Sequence, residues 1–185
     1  MAQTDHRTLL QRITQRAMRE QGLLPEFSNS VLAELGLMQA PAGLKGEPAK
    51  DSRWIRDLTS LPWASIDHDD ARDLDQVTIA EALSRDEVRI RVAVADVDAL
   101  VKMGSAIDGH ARHNTSSVYT IAEYFPMLPE KLSTDLTSLN LDAERLALVV
   151  EMTIAANGLV LASDIYRARV RNRAQLTYNS VAAWL

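Results

Sequence analysis

The sequence contains no cysteine. That excludes disulfides, a disulfide-bonded partner and thiolate metal sites, and it fits a reducing cytoplasm. Long apolar runs are missing as well. Residues 1–19 lack the continuous hydrophobic stretch of a signal peptide, and nothing elsewhere approaches the roughly 20 apolar residues of a membrane span. There is no internal repeat and no low-complexity tract. Positive charge is in deficit, with 20 Lys and Arg against 25 Asp and Glu for a formal net charge of −5. Such a deficit argues mildly against a nucleic-acid partner, because phosphate binding needs a positive footprint. A carboxylate-rich metal site, however, inflates the negative count without making the whole surface acidic, so distribution counts for more than the sum. What remains is a chain of 185 residues, 46% hydrophobic and 24% charged. It has enough apolar surface for a real core, in one domain or in a small domain attached to a larger one. The expectation is a soluble, cytoplasmic monomer with no membrane partner.

Periodicity divides the chain into three parts. Residues 4–21 read as an amphipathic helix, with Leu9, Ile13 and Ala17 on one face and Gly22 after the last turn. A second short helix runs from about Ser30 to Gly36. Together, residues 1–37 suggest a helix-turn-helix or winged-helix module, or a helical hairpin that packs on its neighbour. Residues 38–53 hold prolines and glycines with little periodicity and read as a linker. Residues 54–185 read as an α+β domain. Trp63 to Asp67 forms a short strand. In Glu87 to Asp96, Val88, Ile90, Val92 and Val94 share one face while Arg89 and Arg91 take the other. Ser105 to His113 is helical. Leu146, Leu148, Val150, Met152 and Ile154 alternate into a core, Asn157-Gly158 supplies a hairpin turn, and a second strand follows from Leu159 to about Arg173. Tyr178 to Leu185 forms a terminal helix.

The densest chemistry lies in Ile66-Asp67-His68-Asp69-Asp70-Ala71-Arg72-Asp73-Leu74-Asp75-Gln76, where five carboxylates fall within nine residues. Like charges about 4 Å apart repel by roughly 4 kcal/mol at an effective dielectric near 20, so folding the cluster inward requires a cation or raised pKa values. A calcium loop of the EF-hand type fails: counting from Asp67, the sixth position is Arg72 rather than Gly and the twelfth is Thr78 rather than Glu. Two readings stay open, a solvated acidic loop and a site for magnesium, whose hard ligands are carboxylate oxygens. The apolar strand-like segments on both sides favour the second. If residues 73–75 are extended, Asp73 and Asp75 point to the same side, about 7 Å apart.

A series of short motifs then carries a resemblance. Asp57-Leu58-Thr59-Ser60-Leu61-Pro62 is followed by Ser65-Ile66-Asp67 and by Asp70-Ala71-Arg72-Asp73-Leu74-Asp75. Val92-Ala93-Val94-Ala95-Asp96-Val97, Gly104 to Asp108 and Thr115-Ser116-Ser117-Val118-Tyr119 come next. Pro126 to Ser133, Leu136-Thr137-Ser138-Leu139-Asn140 and Arg171 to Tyr178 complete it. In this order the motifs resemble the catalytic domain of the ribonuclease II / ribonuclease R family across residues 54–185. The resemblance implies a hydrolytic, magnesium-dependent 3′-to-5′ exoribonuclease of single-stranded RNA that releases nucleoside 5′-monophosphates. It implies metal-ligand and organising roles for Asp67 and Asp73, and makes Asp75 the acid on which chemistry depends most. It leaves Asp69 and Asp70 solvent-facing. At the family's fourth aspartate this sequence has Gln76, whose amide oxygen ligates a metal without bringing charge. The resemblance also implies an aromatic stacking role for Tyr119 against an RNA base, and RNA contacts for Arg112 and Arg171. Arg167, Arg169, Arg171 and Arg173 alternate on one strand, as a phosphate-tracking stripe or as the exposed side of a hairpin. The alternative to an active enzyme is a non-catalytic nucleic-acid-binding protein with a degenerate nuclease domain. The family's domain continues beyond the last of these motifs, so a fragment, inactive alone, is expected.

Overall fold

The computed structural model describes residues 2–38, 55–84 and 86–185. The linker expected at 38–53 lies outside the described residues apart from Met38. The helices are α1 (Ala2–Glu20), α2 (Asn29–Leu37), α3 (Ala106–Asn114) and α4 (Tyr178–Trp184). The strands are β1 (Arg56–Asp57), β2 (Trp63–Asp67), β3 (Gln76–Ala82), β4 (Val88–Ala95), β5 (Val118–Tyr119), β6 (Tyr124–Phe125), β7 (Glu144–Ile154) and β8 (Val160–Thr177). The fold class is α+β, as expected. No helix among the described residues is long and apolar enough to cross a membrane.

The chain forms two compact units, residues 1–38 with 101–131, and residues 39–100 with 132–185. This division differs from the expected boundary near residue 54. The N-terminal helices are grouped with the segment containing α3, β5 and β6. The reason is polar as well as apolar. The Glu34 carboxylate of α2 accepts the Ala106 and Ile107 N–H groups at 2.8 and 3.2 Å, which satisfies two free donors at the start of α3 and complements its dipole. Asn114, at the other end of α3, donates to Leu24 O and accepts from Leu24 N, both at 2.9 Å. α1 ends where Gly22, at φ +76°, lets Gly22 N and Leu23 N turn back to Arg19 O and Met18 O. Residues 21–28 then lead to α2, a connection longer than the three- or four-residue turn of a helix-turn-helix motif.

The second unit is a closed barrel. β8 pairs in parallel with β2, β2 antiparallel with β3, β3 with β4, β4 with β7, and β7 again with β8. β1 adds a short parallel pairing to β8. The strand β8 is long enough to serve both neighbours, with residues 160–171 against β7 and residues 172–177 against β2. The interior is filled by Val77, Ala93, Ala147, Val149, Ala168 and Val170, with Trp63, Leu74 and Leu139 completing the cluster. Trp63 is fully buried, and its indole N–H donates to Leu58 O at 2.9 Å. Burial of an indole is worth roughly 4–6 kcal/mol as an upper bound.

This packing overturns the inward face assigned from sequence. Leu146, Leu148, Val150, Met152 and Ile154 alternate with the residues that fill the barrel, and Leu148 and Val94 are exposed. The interior takes Ala147 and Val149 from β7 and Ala93 from β4 instead. A small barrel has room inside only for small side chains along most of its strands. The larger apolar residues therefore go outside. The face of β7 that holds Ala147 and Val149 also carries Arg145, Glu151 and Thr153, so alternation by hydrophobicity alone points to the opposite, larger face.

His110 of α3 is buried, with Phe27 4.4 Å from its ring centre and Asn114 Nδ2 3.2 Å from Nε2. Burial lowers its pKa, and the neighbouring charge of His113 lowers it further. The unfolded chain thus takes up this proton more readily than the folded one. Stability from this group is complete above the ordinary histidine value of about 6.5 and drains away as pH falls below it. Thermal melts from pH 7.5 to 5.5 should show Tm falling in wild type, with a shallower slope in His110→Gln. Equal slopes would remove His110 from the account.

Candidate active site

Asp67, Asp73 and Asp75 lie on the segment from the end of β2 to the start of β3, close enough for the charges of the first two to act on the third. Asp67 is the last residue of β2, and its Oδ1 accepts the N–H of His68 at 2.8 Å. From there the chain loops to Asp73, Leu74 and Asp75. Leu74 is buried in the core cluster and bound on both backbone sides: its N–H donates to Ser138 Oγ at 3.0 Å, and its carbonyl accepts Leu139 N at 2.9 Å. Ser138 Oγ also donates to Arg72 O or Asn140 Oδ1, each 3.0 Å away. Leu74 is held inward, while its neighbours Asp73 and Asp75 are half-buried and exposed, respectively. The Asp75 carbonyl accepts Ala95 N at 2.9 Å, which joins the loop to the start of β3 and the end of β4.

The electrostatics register the convergence. The Asp75 carboxyl is pushed above the usual aspartate range, first by desolvation and then by the charges of Asp73 and Asp67. Among the described residues, no Lys, Arg or His ion pair neutralises any of the three, and no three His, Asp or Glu side chains are already drawn into a metal-ligating array. The donor set nonetheless fits a hard divalent cation: carboxylate oxygens without a cationic partner, one of them resisting ionisation. Gln76 opens β3 opposite Val94 with its side chain exposed, while Val77 turns into the barrel.

Sequence reasoning did not find what anchors the acidic loop. Asn179 Nδ2 of α4 donates to Asp69 Oδ2 at 3.0 Å, so Asp69 is exposed yet engaged rather than merely solvated. Gln175 Nε2 lies 3.4 Å from Ala71 O, and the His68 ring meets the Tyr178 ring edge-on at 5.1 Å. α4 itself starts with a reciprocal cap, in which Thr177 Oγ1 accepts Ser180 N and Ser180 Oγ accepts Thr177 N. The Thr177-x-x-Ser180 spacing was the available signal for that start.

The RNB domain family matches residues 55–185. The chain belongs to that family. It is 40% identical over 144 residues to the ribonuclease R of Escherichia coli, covering 77% of this chain and 18% of that relative. It is 36% identical over 149 residues to the exoribonuclease 2 of Cronobacter sakazakii, covering 80% and 23%. Among solved structures, the Mycoplasma genitalium RNase R in complex with double-stranded RNA matches at TM-score 0.80 and 27% identity, over 90% of this chain and 29% of that one. The same protein with ribose-methylated single-stranded RNA matches at TM-score 0.78. The chain thus spans less than a third of each of these relatives. The family resemblance and the fold class read from the motifs are both borne out.

Within the RNB match, the structure brings Asp67, Asp73 and Asp75 together in the barrel unit. Arg112 and Tyr119 belong to the other unit. Arg112 pairs with Asp108 one turn earlier, at 3.3 Å, and Tyr119 is largely exposed. The four arginines of β8 do share one face, and each already has a protein contact. Arg167 pairs with Asp96 and Asp98 at 3.0 and 2.6 Å, Arg169 with Asp57 at 2.5 Å and Arg171 with Asp142 at 3.6 Å. Arg173 donates to Thr59 O at 2.9 Å. Asp57, which also accepts from the Thr59 hydroxyl and N–H, is held down at about 2 by Thr59 first and Arg169 next.

A carboxyl that resists ionisation costs stability when it is ionised. In chelator at pH 7, Asp75→Asn should therefore raise Tm, whereas Asp70→Asn should leave it unchanged. A lower Tm for Asp75→Asn would mean that the carboxylate makes a stabilising contact instead of a repulsive one.

Proposed function

We propose that the protein is a magnesium-dependent, hydrolytic 3′-to-5′ exoribonuclease that acts on single-stranded RNA and releases nucleoside 5′-monophosphates. The observation that carries this reading is the RNB match over residues 55–185, within which the charges of Asp67 and Asp73 act on Asp75. The RNA-bound RNase R relatives support the substrate class.

Asp67, Asp73 and Asp75 would hold magnesium through carboxylate oxygens and Gln76 through its amide oxygen. When bound, the ion supplies a polarised water for attack and charge stabilisation at the leaving oxygen. The chain's own contribution is to fix the donors beforehand. Leu74 and Ser138 set the direction of Asp73 and Asp75, and the α4 anchors hold the loop between Asp67 and Asp73. Rigid placement of this kind spares reorganisation during reaction. Tyr119 offers its ring to a base, a contact worth about 1–3 kcal/mol and tolerant of sequence. Arg112 and Arg171 reach phosphates by exchanging Asp108 and Asp142 for them.

One observation favours a second reading, a nucleic-acid-binding protein without catalysis: Gln76 stands at the position of the family's fourth aspartate, where an amide brings no charge to a cation. Labelled single-stranded RNA, incubated with the full-length protein in magnesium and then in chelator, separates the two. Mononucleotide release that the chelator abolishes supports the enzyme, whereas retention of uncut RNA in both supports the binder.

The acids have unequal roles. Asp75→Asn should lower hydrolysis by about a hundredfold or more with RNA affinity retained, and Asp70→Asn should change it little. Equal losses would overturn the assignment. Gln76→Asp adds a carboxylate to the set, so half-maximal activity should require less magnesium. An unchanged or higher requirement would show that Gln76 does not face the ion.

A further inference from the structure

Tyr119 and Tyr124 stand directly opposite each other on the two-stranded ladder of β5 and β6. Their rings are stacked, with centres 4.6 Å apart and planes inclined by 24°. Both stay open to solvent, Tyr119 at 72% and Tyr124 at 38% exposure. The turn between them is tightly bonded. Thr120 donates to the Glu123 carbonyl through its N–H at 3.1 Å and its hydroxyl at 2.6 Å, and the same hydroxyl lies 3.0 Å from Glu123 N. The Tyr124 hydroxyl reaches Ser117 Oγ at 3.4 Å, and Ser117 Oγ accepts the Met127 N–H at 2.9 Å. Of the two stacked rings, Tyr124 is the less exposed and Tyr119 the more exposed.

An exposed tyrosine on so short a strand has several rotamers open to it, and a base that stacks on it must first select one, at an entropic cost. A second ring stacked against the first removes that freedom in advance. It also covers one face of Tyr119. We propose that Tyr124 is a positioning residue for RNA binding: it holds the Tyr119 ring in the stacked orientation, and the two rings together form a preorganised platform for one unpaired nucleobase. The inference rests on the exoribonuclease reading. An unpaired base is the occupant because it is flat and offers a π-face whatever its identity, and because the chain is similar over 90% of its length to an RNase R solved with single-stranded RNA. A cross-strand pair that only stabilises the hairpin would leave RNA affinity unchanged.

The test uses the full-length protein with Tyr124→Leu, Tyr124→Phe, Tyr119→Leu and the double variant Tyr119→Leu/Tyr124→Leu. Binding is read from quenching of 2-aminopurine at the 3′ end of a single-stranded oligoribonucleotide, and turnover from mononucleotide release. Tyr124→Leu should raise Kd and KM about fivefold while kcat stays within about twofold. Tyr124→Phe keeps the ring and should restore both, and the double variant should bind no worse than Tyr119→Leu. If Tyr124→Leu does not fold, Tyr124→Val, which suits a strand, takes its place in the comparison. Unchanged Kd and KM in the leucine or valine variant overturn the proposal. So does a phenylalanine variant as weak as the leucine one, or an additive loss in the double variant, which would make Tyr124 an independent contact. RNA hydrolysis that persists with Tyr124 indifferent removes this inference alone. Wild-type protein that neither binds nor cleaves RNA removes the exoribonuclease reading with it.

Discussion

The parallel pairing of β2 with the far half of β8 is the constraint on which the barrel and its site both depend. Its register sets Asp67 opposite Thr177, so the first carboxylate of the site lies beside the residue that caps α4. The same pairing forces β8 to leave β7 and cross to β2, which closes the ring of strands. Asn172, where that crossing occurs, is buried and donates to Ser65 Oγ at 3.1 Å and Leu139 O at 2.9 Å. A buried amide bonded in this way fixes register, because a slipped strand would leave two acceptors unsatisfied, at about 1–3 kcal/mol each. Leu139 in turn holds Leu74, and Leu74 orients Asp73 and Asp75.

Two carboxyl groups of the barrel show how environment divides like residues. Burial pushes Glu151 upward, but hydrogen bonds from Arg91 at 2.6 Å and Tyr166 at 2.8 Å outweigh it and leave the group below its ordinary value. Arg91 also contacts Glu81, and Arg56 lies over the Tyr166 ring at 3.6 Å. Every charge in that network is answered within the protein. At Asp75 desolvation acts in the same direction and no cation among the described residues answers it, so the shift is upward. The first arrangement is architecture, and the second is a place that favours an added positive charge.

Much of this was legible in the sequence, and the remainder was hidden for definite reasons. The strands at Trp63–Asp67 and Val88–Ala95, the Asn157-Gly158 hairpin and α4 follow from alternation, turn chemistry and periodicity. The pairing of Asp73 with Asp75 follows from their spacing around Leu74, whereas the inclusion of Asp67 came from the family resemblance. The inward face of β7 was misassigned because size, rather than hydrophobicity, decides what fits inside a five-stranded barrel. The union of α2 with α3 depends on Glu34, a carboxylate some seventy residues from the N–H groups it caps, and no local pattern reports such a bond. Tyr124 stayed unnoticed for a similar reason, since its importance lies in the ring it faces across a turn.

The arginines of β8 carry a consequence for how ionic strength would act on RNA at that strand. A free basic stripe gains affinity by releasing counterions condensed on the phosphates, and loses it steeply as salt rises. Arg167, Arg169 and Arg171 already have aspartates for neighbours. A phosphate arriving there replaces a carboxylate, so one anion is exchanged for another and little net charge is neutralised. Salt weakens the competing internal pair along with the new one. Contacts of this kind would discriminate by geometry more than by charge, and would let a chain with a formal charge of −5 meet a polyanion without a surplus of basic residues.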